Sequence, residues 1–189
     1  MTTPDTAPAM DHALLAKLTG GLGDQKTILK IGADVGHLYS EFLPDMFHSE
    51  TGIPIEVDYI GCQSGLMTDL VRGIGPEFAV ADCSLRNWSP NFILACGNAF
   101  IMTLMERMLG ALPETISEPE VRSLSQIELD LAALVIGRMA GVLRSGVNAP
   151  GGFEAAIDPP YNSKGKSGFD EQITGQYGVL IRLKVDLGK

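Results

Sequence analysis

Several things this sequence lacks narrow what it can be. Its 189 residues include three cysteines, Cys62, Cys83 and Cys96. The count is odd, the spacing is wide, and no CxxC pair occurs. That excludes a zinc knuckle and a dithiol redox pair, and it suits a reducing compartment. Cys83 and Cys96 lie in apolar runs and read as small core side chains. Positive charge is scarce, with 14 Lys and Arg against 23 Asp and Glu and a net charge of −9. No Lys/Arg cluster supplies the stripe that nucleic acid requires, and docking on an anionic membrane surface is disfavoured. No apolar run is long enough to span a bilayer. Met1 to Met10 is Thr-, Pro- and Ala-rich and acidic, without the basic and apolar regions of a secretory signal. The remaining composition, 45% hydrophobic and 20% charged, suits one cored cytoplasmic domain plus a short extra segment.

Catalytic and ligand-binding motifs are missing as well. Gly20 to Thr27 (GGLGDQKT) falls short of a P-loop. Gln25 stands where the second glycine must let the backbone wrap the phosphates, and the preceding segment is helical rather than a strand. The stretch reads as a flexible joint between two helices. His37 and Glu41, and Asp45 and His48, share helix faces, but a third ligand at reliable spacing is missing, so a solvated face is the better reading. No G-x-S-x-G elbow occurs. Cys62 and Ser64 lie in a turn (Gly61 to Gly65) with no His or acid placed to activate them. No cofactor is implied, and the chain reads as an interaction protein rather than an enzyme.

What is present is a regular alternation of helix and strand patterns. Residues 1–24 form a leader with a short amphipathic helix over His12 to Leu18, capped by Asp11. Gln25 to His48 repeats apolar residues at helical spacing, with a possible bend at Pro44. Ile53 to Ile60 alternates as a strand, and Gly65 to Val71 suggests a short helix. Phe78 to Cys83 and Phe92 to Cys96 read as strands joined by a turn at Asn87 to Pro90. Ala99 to Leu109 is helical and ends at Gly110. Its Met102, Met105 and Met108 recur every third residue, which packing into a core accounts for and an adaptable partner surface would also use. A connector with Pro113 and Pro119 leads to a helix over Ser125 to Leu143, opened by a Ser125/Glu128 capping box. A strand over Gly152 to Ile157, a polar loop over Asp158 to Ser167 and a strand over Gln176 to Val185 complete the chain. It stops directly after that strand, which suggests a piece of a longer protein. Phe92 to Gly110 and Arg122 to Leu143 hint at a duplicated α/β layout.

Three stretches carry a resemblance: Phe92 to Leu112 (FILACGNAFIMTLMERMLGAL), Leu124 to Leu143 (LSQIELDLAALVIGRMAGVL) and Tyr177 to Gly188 (YGVLIRLKVDLG). In this order and spacing they resemble the middle domain of the FliM family of flagellar motor switch proteins, over roughly residues 30–189. The resemblance implies a CheC-like fold, an α/β/α layout with pseudo-twofold symmetry spanning 25–189. CheC-type phosphatases of that fold carry an acidic or Ser residue, then Glu four on, then Asn three further. Here Asp130 fits the first position, while Leu134 and Gly137 hold the other two. Neither can handle a phosphoryl group or a water, so the resemblance implies the structural rotor branch. Family members carry a G-G-x-G loop associated with binding FliG. The matching stretch here is Gly110, Ala111, Leu112 and Pro113, in which only the first glycine is kept. Asp11, Ala13, Leu14 and Leu15 are similar to the family's segment for phosphorylated CheY. The implied partners are FliG-like and FliN-like rotor proteins, phosphorylated CheY and further copies of the chain in a ring at the cytoplasmic face of the inner membrane.

Overall fold

The computed structural model describes residues 24–85, 89–146, 155–164 and 169–188. The amphipathic segment expected at 12–18 and residues 87 and 88 of the turn expected at Asn87 to Pro90 lie outside these residues, while Ser89 and Pro90 open a strand instead.

The first element, α1 (Gln25–Thr51), starts where Asp24 accepts the Thr27 amide at 3.0 Å. The Thr27 hydroxyl also donates to Asp24, and this bond holds its carboxyl below the ordinary carboxylate range. The helix ends at Gly52, whose left-handed φ of 71° lets its N–H return to the His48 carbonyl. Pro44 lies inside without ending the helix. Tyr39, Leu43 and Phe47 on both sides of it are locked in the core, and that packing outweighs the hydrogen bond that Pro cannot make.

Next comes β1 (Glu56–Leu66), then α2 (Met67–Arg72), β2 (Phe78–Leu85) and β3 (Ser89–Gly97). The Gly61 to Gly65 stretch expected as a turn is instead the second half of β1, where Gly61 to Leu66 pair antiparallel with Arg182 to Tyr177. The partner strand, distant in sequence, supplies the ladder that overrides two glycines. A bulge at Ile60, next to Gly61 with φ 150°, absorbs the extra residue. Then follow α3 (Asn98–Met108), a 3₁₀ turn (Pro113–Thr115), α4 (Gln126–Gly146), β4 (Ala155–Ile157), β5 (Tyr161–Asn162), α5 (Phe169–Ile173) and β6 (Tyr177–Asp186).

The architecture is mixed α/β. The order helix, strand, short helix, strand runs twice, as α1–β1–α2–β2 and as α4–β4/β5–α5–β6. Strands pair across the repeat: β1 with β6, and β2 with β4 and β5, all antiparallel. The element order thus repeats, with boundaries that differ from those expected at Phe92 and Arg122. β3 and α3 lie between the two copies.

β2 is buried on both faces. Ala79 packs into the core formed with α1, α3 and α4, and Ala81 and Cys83 lie with Ile136 and Ala140 of α4. Phe78 and Val80 point the other way, under Phe169 and Ile173 of α5. Helices thus cover both sides of the strands. No described helix is long and apolar enough to cross a membrane.

Candidate functional site

The α4 face carrying the would-be phosphatase positions is open to solvent. Asp130 is exposed and accepts a hydrogen bond from Gln126 at 3.1 Å. Leu134 is 43% exposed, and a side chain at Gly137 would meet nothing within 4 Å. The spacing of four and then three places the three on one helix face. One carboxylate stands there beside a methyl-bearing surface and bare backbone. Leu134 and Gly137 themselves bring no polar side chain to stand beside that carboxylate.

No thiol is poised as a nucleophile among the described residues. Burial pushes Cys83 up to about 11, Cys96 up to about 12, and Cys62 also upward. Cys83 is buried, as the sequence suggests, and Cys96 packs against the core. His37, Glu41, Asp45 and His48 are all exposed along α1, with the His37 ring 5.4 Å from that of Tyr59. Among the described residues no group of three or more His, Cys, Asp or Glu could hold a metal ion.

The turn after α3 is built differently. The Ala111 amide reaches back to the Glu106 carbonyl and the Gly110 amide to that of Arg107, both at 3.0 Å. These two bonds form a Schellman motif, which needs a left-handed residue at its centre; Gly110 supplies it at φ 95°. Pro113 then fixes the first position of the 3₁₀ turn, and Leu112 accepts both the amide and the hydroxyl of Thr115. This well-ordered backbone holds apolar side chains in water. Leu109 is 82% exposed, Leu112 57%, and Met108 about half. The methionine stripe of α3 thus starts in the core at Met102 and ends on the surface at Met108.

A polar network anchors the connector that follows. Arg122 forks onto Glu128 at 2.8 and 2.6 Å. Glu128 also accepts the Ser125 amide and hydroxyl, each at 2.7 Å. The arginine, set against the cost of burial, holds its carboxyl down at about 2. Asn98, buried at the start of α3, donates to the Arg122 carbonyl at 2.9 Å. Asn162 of β5 brackets Leu124 with two bonds, at 2.7 and 2.9 Å.

The structure therefore places Gly110, Ala111, Leu112 and Pro113 together in one exposed turn. Asp11, Ala13, Leu14 and Leu15 lie outside the described residues. Sequence reasoning left Met108 between core and partner surface, and it missed Leu109 and Val121 as surface groups. Within the apolar helix pattern nothing distinguishes Met108 and Leu109 from core, and only the helix-ending glycine hinted that Leu109 sits at a terminus; Val121 lies in the connector, where no period assigns a face. It read the Ser125/Glu128 pair as a cap but missed Arg122, Asn98 and Asn162, which come from elsewhere in the fold.

No protein-family model matches the chain. Over 184 residues, 97% of its length, the chain is 71% identical to the flagellar motor switch protein FliM of Agrobacterium fabrum. Over 187 residues it is 38% identical to that of Rhizobium meliloti. It spans 57% and 59% of the length of these two relatives. Among solved structures it shares its fold with a chain of the FliG–FliM complex from H. pylori, at a TM-score of 0.70 and 13% identity, covering 88% of both chains. The chain therefore belongs to the FliM family of flagellar motor switch proteins, of whose members it matches a part.

Proposed function

We propose that this chain is a structural and signal-relay component of the bacterial flagellar motor switch, coupling binding of phosphorylated CheY to the direction of rotation without catalysing a reaction. The observation that carries this reading is the exposed apolar turn after α3. A rigid backbone presenting Leu109 and Leu112 to water is what a protein–protein contact uses, because little entropy is lost when it docks. Residues Gly110 to Pro113 contact a FliG-like rotor protein; a partner of that kind is supported by a chain of the same fold occurring in a FliG–FliM complex. The domain of residues 25–189 self-associates in a ring with a FliN-like partner, at the cytoplasmic face of the inner membrane in the flagellar basal body. Residues 1–24 are a leader in which Asp11, Ala13, Leu14 and Leu15 dock onto phosphorylated CheY through one apolar helix face. Docking then biases the packing between ring neighbours.

A pull-down with FliG-like and phosphorylated CheY-like proteins tests this. Leu109→Asp with Leu112→Asp is expected to abolish FliG capture. Leu14→Ala with Leu15→Ala is expected to abolish CheY capture. If neither partner binds the unmodified protein, the reading fails. A phosphate-release assay addresses the alternative of a CheC-like phosphatase: faster loss of phosphate from CheY would replace the structural role with that one.

A further inference from the structure

The turn is one end of a longer strip. The Asn98 side chain at the start of α3 holds the Arg122 carbonyl, so the connector that leaves α3 at its far end is back at its beginning by residue 122. An 11-residue helix rises about 16 Å, and over that distance the connector runs back beside α3. Apolar side chains stand exposed at both ends: Met108, Leu109 and Leu112 at the turn, and Val121, 70% exposed, at the other. Glu106, Glu114, Glu118 and Glu120 are all exposed along the same stretch. Its two arginines are engaged within the chain. Arg107 reaches the Ala111 carbonyl at 3.4 Å, and Arg122 is forked onto Glu128. The strip is therefore apolar at its ends and net negative between them, with four glutamates against Arg107 once Arg122 is paired with Glu128.

We infer that the partner docking here presents an apolar pocket for Leu109 and Leu112 bordered by Lys or Arg side chains, so that the glutamates set how fast it arrives and the leucines how long it stays. This rests on the proposal that the turn docks a rotor protein. The division of labour follows from range. Rim charges act through the field before contact, on the association rate, and they are screened by salt. Buried apolar anchors act only after contact, on dissociation.

The test measures association and dissociation rates of the full chain with the FliG-like protein, at low and high salt. Glu114→Lys with Glu118→Lys and Glu120→Lys is expected to slow association about tenfold or more at low salt, to flatten its salt dependence, and to leave dissociation nearly unchanged. Leu109→Ser with Leu112→Ser is expected to raise the dissociation rate about tenfold or more with association within about threefold. Melting curves check that each variant is folded, and Leu109→Gln alone repeats the measurement with less disturbance at the helix end. If the charge-reversed protein keeps the original association rate and salt dependence while the leucine variants lose binding, the basic border is wrong and the docking turn stands. If the leucine variants bind as the unmodified protein does, the docking turn itself is wrong.

Discussion

A methyl group added at Gly36 would enter the Tyr59 ring, and one at Gly32 would strike Cys62. These two glycines, one turn apart on α1, let the helix lie close on β1. At Gly137 on α4 the same methyl group meets nothing within 4 Å. The same substitution should therefore change sign between the two helices. Gly36→Ala is expected to destabilise the fold by about 1–3 kcal/mol through overpacking. Gly137→Ala is expected to stabilise it by about 0.5–1 kcal/mol, the gain in helix propensity. Urea denaturation of both variants measures the difference. Sequence alone does not separate the two glycines, because both sit in helical apolar patterns and the clash depends on a strand that meets only one of them.

Element ends in this fold are held by polar side chains, and they make pH and backbone chemistry measurable. Glu128 at the start of α4 titrates near 2 in the folded chain against an ordinary 4.5. Its folded value is the lower one, so its stabilising contribution is complete above the ordinary value. That contribution is lost as pH falls from about 5 to about 2. Glu128→Gln is expected to cost roughly 2 kcal/mol at neutral pH and to flatten stability over that acid range, as read by thermal melting against pH. At the other end of the connector, Gly110 holds φ 95°. Gly110→Ala is expected to cost about 1–2 kcal/mol and to weaken FliG-like binding more than its small size would suggest, because the turn that orients Leu109 and Leu112 loses its Schellman geometry. The helix caps were legible in the sequence: a Ser-x-x-Glu pair and a glycine after an apolar helix are local signals. The arginine that completes the first cap was not, since its partner lies six residues away across an irregular connector.

For the whole molecule, the proposed role predicts binding without turnover. The unmodified protein should leave the rate of phosphate loss from phosphorylated CheY unchanged, and Leu134→Glu with Gly137→Asn should be tolerated because Leu134 is exposed and a side chain at Gly137 has open space around its Cβ; melting temperature and phosphate release measure the two. Most of the element order was legible, because helix and strand periods differ and α1, α3, α4, β1 and β6 each carry a clear one. The short α5 and the two-residue β5 were not, as neither is long enough to show a period. By itself the sequence determined the alternation of helix and strand, the excess of negative charge, and Cys83 and Cys96 as packing residues. Those properties belong to residue identity and local spacing; the reading of Leu134 and Gly137 as replaced catalytic positions came from the family resemblance alone. Only the tertiary structure decided that β1 pairs with β6 and β2 with β4 and β5, and that Leu109 faces water while Ile101 and Leu104 in the same apolar run do not. Pairing and exposure depend on which distant segments meet, and sequence spacing does not encode that.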